Sequence, residues 1–298
     1  MPAASIPHRV GGVTNEEMRA NWSEGAVGWV ENERIFDAVL GPVTAALLTA
    51  ADDLEPAARV LDVGCGTGTL LESLGAAGRE AVGVDIAPAM AEAAARRTPG
   101  ATVLAADAQV ADLLALAPGP AFELLLSRFG VMFFDDPVAA FANIRRAAAP
   151  EARLAFACWR GRGENPMFTL GVDVLAARLD PPPERGSPGS PGPMAFADRD
   201  HLHAVLDRSG WRGIGIEPFD FTCDFGFGGG DGVEERLSVI LGSFVGQRAH
   251  RELRPVLGEE GWERLLDEVR VELRRNLRAG AVRFGGAAWS VSAENPGG

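Results

Sequence analysis

The spacing of apolar side chains along the chain changes period near residue 59. Before it, segments 16–21 and 31–51 carry apolar residues at helical spacing, and Val30, Phe36, Val39, Val43, Leu47 and Leu48 make one stripe that predicts a buried helix face. After it, short β-branched and leucine runs alternate with helix-period segments. Strands are expected at 59–63, 81–85, 102–105, 122–127 and 153–159, and helices at 70–76, 88–97, 108–116 and 137–148. Pro88 opens its helix where a missing amide donor costs little. Strands separated by helical segments of about a dozen residues imply right-handed crossovers and a parallel sheet covered on both faces. Beyond Trp159 the signal thins. The run PPPERGSPGSPGP at 181–193 reads as an irregular loop, followed by a helix at 198–209 with Asp198 as its cap. A strand at 214–225, helices near 234–249 and 259–277, and a last strand at 281–292 complete the pattern.

Composition narrows the chemistry. The chain has 298 residues and a formal net charge of -13, with 47% hydrophobic and 23% charged residues, an ordinary globular mixture. All 28 basic residues are arginine. Without lysine there is no Schiff-base or pyridoxal-phosphate amine and no Walker A phosphate loop, and without tyrosine no phenol can serve as acid or base. The acidic balance argues against a nucleic-acid partner, since phosphate binding needs a basic surface. Cys65, Cys158 and Cys223 lie far apart and form no C-x-x-C pair, which argues against a disulfide framework or a cysteine zinc site. No signal-peptide h-region and no run of about 18 apolar residues is visible, so a cytoplasmic protein with no membrane partner is expected.

The strongest local signal is Val60-Leu-Asp-Val-Gly-Cys-Gly-Thr-Gly68, a glycine turn between a strand and a helix. A dinucleotide fingerprint starting at Gly64 would need glycine at position 69, which is Thr69. Asp62 at the mouth of the turn would repel a pyrophosphate and attract a cationic amine or sulfonium. Asp85 ends the second strand, where an acid binds ribose hydroxyls in nucleotide-binding α/β folds, and Asp107 follows the third. The three acids converge on one sheet edge and suit a ligand with a ribose, an exocyclic amine and a positive charge. For each Asp the alternative is a turn or cap residue.

The runs VLDVGCGTG, GVDIAPAM and AADAQ resemble the first three motifs of the class I S-adenosylmethionine-dependent methyltransferases. The segment Ser127-Arg-Phe-Gly-Val-Met-Phe-Phe-Asp-Asp-Pro137, with Trp22 and Trp29 upstream of Glu33-Arg34, is similar to the small-molecule subgroup related to the ubiquinone/menaquinone C-methyltransferases. The resemblance runs from about Trp22 to Pro166. It implies an α/β, Rossmann-like fold with a seven-stranded, mostly parallel sheet, an N-terminal helical layer (1–58), a cofactor-binding core (59–160) and a C-terminal region (161–298) that supplies the remaining strands and a lid. The cofactor implied is S-adenosyl-L-methionine. Gly64, Gly66 and Gly68 would pack against its methionine part, with Asp62 near the amino group and Ser127 close by. Asp85 would bind the ribose, Ile86 and Met90 would flank the adenine, and Asp107 and the Ala108 amide would meet its edge. Trp29 either closes over the sulfonium or packs in the core; for Trp22 packing is favoured.

The resemblance also implies a small, apolar or aromatic methyl acceptor, methylated at carbon or oxygen. Candidates on the acceptor side are Arg128, Phe129, Trp159, Glu164 and Asn165, with Phe219, Phe221, Phe225 and Phe227 as lid side chains that would line an enclosed pocket. Arg128 is a candidate to hold a substrate oxyanion, or else a salt bridge at the sheet edge. Glu164 and His201 are candidate bases. The fourth strand ends in Ser-Arg-Phe-Gly rather than the [D/N/S]-P-P-[Y/F] signature of many amine and nucleobase methyltransferases, and strands four and five end without metal-ligating acids, so no metal is expected. Two alternatives remain: a protein of the same fold that binds the cofactor without methyl transfer, and a nicotinamide-dependent dehydrogenase. A homodimer stays open.

Overall fold

The computed structural model describes residues 22, 25–183 and 189–297; the segment 16–21 lies outside them. Seven strands run in the order β3-β2-β1-β4-β5-β8-β6. They are β1 (Arg59–Val63), β2 (Glu80–Asp85), β3 (Thr102–Ala105), β4 (Phe122–Arg128), β5 (Ala148–Trp159), β6 (Arg212–Asp224) and β8 (Ala281–Glu294). The two-residue β7 (Leu277–Arg278) pairs only with the start of β8. Strands β1 to β5 are parallel, while β8 is antiparallel to β5 and β6 antiparallel to β8. This is the Rossmann-like class I methyltransferase arrangement, a mostly parallel sheet between helices.

The central strands are buried along their whole length, as a parallel strand covered on both faces must be: all five residues of β1 are inaccessible. Phe122, Phe141, Phe156, Phe196 and Trp211 fill the layers on either side. Each contributes roughly 1.5–3 kcal/mol through burial. Crossovers to β2 and β4 leave β1 on opposite sides, so the sheet order reverses between β1 and β4. At such a reversal the following loops part and leave a crevice outside the strand ends.

Four expected elements differ from the structure. The segment 31–51 is not one helix: it breaks into Glu33–Val39, Gly41–Leu48 and a 3-10 turn at Thr49–Ala51, and the first of these is bent by 66° from 41–51. Gly41 and Pro42 explain the break, because proline at the start of the second helix has no amide to continue the first. The helix expected at 108–116 is confined to Leu113–Leu116. Asp107 folds the chain before it by accepting the Gln109 amide at 2.8 Å, and Asp112 caps the short helix through the Ala115 amide. The expected helix 234–249 ends at Gly242, where Ser243 caps a new helix, Phe244–Arg275, through the Gly246 amide. That helix kinks at Gly258, which is non-helical. Finally, β5 begins at Ala148, directly after the helix Pro137–Ala147, rather than at Arg153. Among the described residues no single helix is long and apolar enough to cross a membrane.

Asn143, buried on the helix Pro137–Ala147, donates at 2.8 Å to the Ala108 and Ala111 carbonyls and so fixes the loop after β3. Asn143→Ala leaves both carbonyls without that donor. Urea unfolding is expected to show a loss of about 1–3 kcal/mol, with faster amide exchange at 108–112.

Candidate active site

Two turns meet at the reversal point. Gly64 has φ +69°, and a Cβ on it would stand 2.7 Å from the Gly130 Cα. A Cβ on Gly130 would stand 2.6 Å from the Val63 carbonyl oxygen. Neither position has room for a side chain, so the turns after β1 and β4 pass backbone against backbone. Phe129 bends the chain into this contact with φ +63°, a conformation that costs a residue with a Cβ about 1–3 kcal/mol. It is held by stacking on Trp159, with centroids 4.1 Å apart. The Ser127 hydroxyl ties the turns together, donating to the Val63 carbonyl at 2.7 Å and accepting the Gly130 amide at 3.1 Å.

Outside this crossing lies a cavity of about 350 Å³. Of the residues expected around a cofactor, Trp29, Asp62, Gly64, Gly66, Asp85, Ile86, Met90, Asp107 and Ala108 line it. Two do not. Ser127 is fully buried behind the turn and holds its shape. Gly68 caps the helix Thr69–Ala76 with φ +86°, and its Cα faces Ala94 so closely that a Cβ would lie 3.2 Å from it. Its role in the structure is helix packing.

The three acids differ in their surroundings. Asp62 is 2% exposed and its Oδ1 has no hydrogen-bond partner. Burial pushes its carboxyl up to about 7, opposed by the charge of Arg128 and reinforced by that of Asp85. Asp85 accepts the Gly66 and Ala87 amides, each at 2.9 Å; burial raises its pKa while those two amides oppose the rise. The Gly66 bond makes Asp85 part of the glycine turn as well as of the cavity wall. Asp107 is both a turn residue and a lining residue, so the two readings of it are compatible.

An aromatic cluster covers the opening. Trp29 stacks on Phe36 at 3.7 Å, and Trp22 lies edge-on to Phe133 at 4.9 Å and to Phe244 at 5.9 Å. All five rings line the cavity. This cover is docked by another glycine pair: a Cβ on Gly28 would fall 2.3 Å from the Gly242 carbonyl oxygen. Asn32 fastens it, donating to the Gly28 carbonyl at 2.7 Å and accepting the Ser238 hydroxyl at 2.6 Å.

The acceptor-side expectations fare less evenly. Arg128 lines the cavity but donates to the Thr44 and Thr69 hydroxyls at 2.8 and 3.1 Å, beside Asp62; no salt bridge joins it among the described residues. Glu164 is outside the cavity, ion-paired with Arg160, which holds its carboxyl below the ordinary range; a base already paired with a guanidinium at the surface is not poised to take a proton. His201 is exposed on the helix Arg199–Arg208, its ring 6.3 Å from Phe196, and also does not line the cavity. Asn165 is fully buried, spanning the Gly161 and Ala287 carbonyls and the Ala287 amide. Phe219 and Phe221 on β6, at the sheet edge beyond β8, and Phe225 and Phe227 in the turn after it are not lining residues either; Met132, Phe134, Met167, Phe168, Val172 and Ile240 supply the apolar wall. Two charged lining residues are not evident as site residues from the sequence, Arg162 and Arg236. For Arg236 a signal existed: it falls on the helical stripe of Val233, Leu237 and Ile240, where an arginine is out of place. A second concavity of about 940 Å³, lined among others by Thr222, Glu272, Arg278 and Arg283, shares no lining residue with the first and has no glycine turn.

Residues 61–156 match the methyltransferase domain family. A demethylmenaquinone methyltransferase of Renibacterium salmoninarum is 28% identical over 169 residues, 53% of this chain and 68% of that protein. A trans-aconitate 2-methyltransferase of Methylobacterium nodulans is 34% identical over 113 residues, 37% of this chain and 42% of its own. Among solved structures, phosphoethanolamine N-methyltransferase 2 of Haemonchus contortus in complex with S-adenosyl-L-methionine shares the fold, with TM-score 0.53 and 16% identity over 98% of this chain and 61% of that one. Sheet order and glycine turn give the described residues the fold of the class I S-adenosylmethionine-dependent methyltransferases, and within it residues 61–156 match their methyltransferase domain. S-adenosyl-L-methionine is the cofactor of that class.

The folded Asp62 holds its proton to about pH 7, whereas an unperturbed aspartate loses its proton near 3.8. Folding therefore binds a proton between those values, and stability falls as pH rises through that window. Thermal melts of the ligand-free protein are expected to show Asp62→Asn melting above wild type at pH 8, with the gap narrowing toward pH 5.

Proposed function

We propose that this chain transfers a methyl group from S-adenosylmethionine to a small acceptor with an apolar or aromatic body, at carbon or oxygen. The observation that carries the cofactor's placement is Asp62: a buried carboxylate oxygen without a partner, beside a turn that admits only backbone. Such an atom is costly unless a ligand completes it, and the ammonium of the methionine moiety does so. Arg128, next to it, complements the carboxylate of the same group.

When bound, S-adenosylmethionine supplies an electrophilic methyl on a cationic sulfur. The chain's residues orient and dry it. Asp85 has lone pairs left after its two amide bonds and accepts the ribose hydroxyls. Ile86 and Met90 hold the adenine from its faces, with Asp107 and the Ala108 amide at its edge. Trp29 and its aromatic neighbours exclude water from the displacement and place a π face near the positive charge, worth about 0.5–2 kcal/mol. Alignment of acceptor, methyl and sulfur is the main catalytic task in an in-line transfer. A small acceptor is supported by the partial likeness to a demethylmenaquinone methyltransferase and a trans-aconitate 2-methyltransferase.

Calorimetry with S-adenosylhomocysteine and NAD tests the reading. The thioether product is expected to bind and NAD to give no signal; the reverse would assign a dehydrogenase. Asp85→Ala is expected to weaken S-adenosylhomocysteine binding by about 1–3 kcal/mol. Because the bound ammonium lowers the pKa of Asp62, binding below pH 7 should release a proton, read as a heat that varies with buffer ionisation enthalpy. Binding independent of both carboxylates would remove them from the site.

A further inference from the structure

The charges that line the cavity are segregated. Among its described lining residues the acids are Asp62, Asp85 and Asp107, all at the ends of β1 to β3. The arginines are Arg128, beside Asp62, and the pair Arg162 and Arg236, which have no ion-pair partner among the described residues. Arg162 donates to the Phe168 carbonyl at 2.7 Å. Arg236 donates through Nη2 to the Met167 and Leu170 carbonyls at 2.8 and 2.9 Å. Both guanidinium groups are thus fastened to one short turn, 167–170, in the apolar wall beyond Trp159.

Arg236 is the unusual one. It is 1% exposed, lies over the rings of Phe225 and Phe284, and its Nε has no acceptor. Nη1 reaches only the Met167 sulfur, a weak acceptor, at 3.3 Å. Burial lowers its pKa to about 10, which leaves it cationic at neutral pH. An uncompensated buried charge is strongly unfavourable, and two carbonyl bonds do not neutralise it. An anion would. The same end of the cavity carries no base: its lining there has no histidine and no carboxylate among the described residues, and the chain has no lysine or tyrosine.

We infer that the methyl acceptor carries an anionic oxygen, a carboxylate on an apolar or aromatic body, which Arg236 and Arg162 hold and which is itself the methylated atom. The inference rests on the methyl-transfer reading above and extends it to the acceptor. A carboxylate needs no general base. Its oxygen lone pair forms the bond to the methyl carbon, the carbon–sulfur bond breaks with both electrons going to sulfur, and a neutral ester and a neutral thioether result with no proton moved. Positive and negative charge vanish together, so a dry, apolar wall favours the step. The guanidinium pair releases the product because an ester has no charge to hold.

The test uses full-length protein saturated with S-adenosylhomocysteine, titrated with benzoate, cinnamate and salicylate, each beside its methyl ester. The acids are expected to bind at least tenfold tighter than the esters. Arg236→Gln should abolish that preference and leave S-adenosylhomocysteine affinity unchanged; Arg162→Gln, on an exposed residue, should reduce it and serves if the first variant does not fold. With labelled S-adenosylmethionine, label transferred to the acids should be released as methanol by mild alkali, as from an ester. Acids binding no better than esters, a preference that survives both variants, or label stable to alkali would overturn the inference. Failure of S-adenosylhomocysteine to bind wild type would instead overturn the methyl-transfer reading.

Discussion

The backbone crossing of Gly64 and Gly130 is the constraint on which the rest of the site depends. It brings the turns after β1 and β4 to van der Waals contact at the one place where the sheet order reverses. Everything nearby serves to keep it: Ser127 bridges the two turns from behind, Phe129 accepts a strained conformation, and Asp85 holds the Gly66 amide from the neighbouring strand. A side chain at either glycine would push the turns apart and open the cavity floor. The crossing also puts the Asp62 carboxylate below the surface, where Oδ1 meets no protein donor among the described residues.

Charge along the cavity follows from the same geometry. Parallel strands end on one edge, so acids that end or follow β1, β2 and β3 gather there. Arg128 ends β4 beside them, while the other two arginines come from other parts of the chain, Arg162 from the turn after β5 and Arg236 from the helix Val233–Gly242. Nothing in the core alone would create that polarity; the C-terminal helix pair and the 166–176 segment close it against the sheet. The aromatic cover depends on a second glycine crossing, Gly28 on Gly242, that joins the first helical turns of the described chain to this late segment.

Much of the core was legible because its signals are local. Short buried runs ending at glycine mark parallel strands, and helix starts carry a cap or a proline that sequence shows directly, as at Pro88 and Asp198. The misreadings have local causes too. Asp107 and Asp112 each capture a backbone amide and shorten the helix around 108–116. Ser243 competes with the helix that would otherwise run through it. Glu164 and His201 were candidates by residue type alone; their surface positions depend on where the chain after β5 and the helix after the proline-rich loop come to rest.

By itself the sequence determined the alternation of strand and helix, the glycine turn, and the three acids at consecutive strand ends, because each is encoded within a few residues of backbone. Tertiary structure alone decided which side chains share a cavity. It removed Ser127, Gly68, Glu164, His201 and the four phenylalanines of 219–227 from the wall and brought in Arg162 and Arg236. The reason is physical: a strand end is fixed by its own register in the sheet, whereas the acceptor side is assembled from segments far apart in the chain, whose meeting depends on packing that no short stretch of residues specifies.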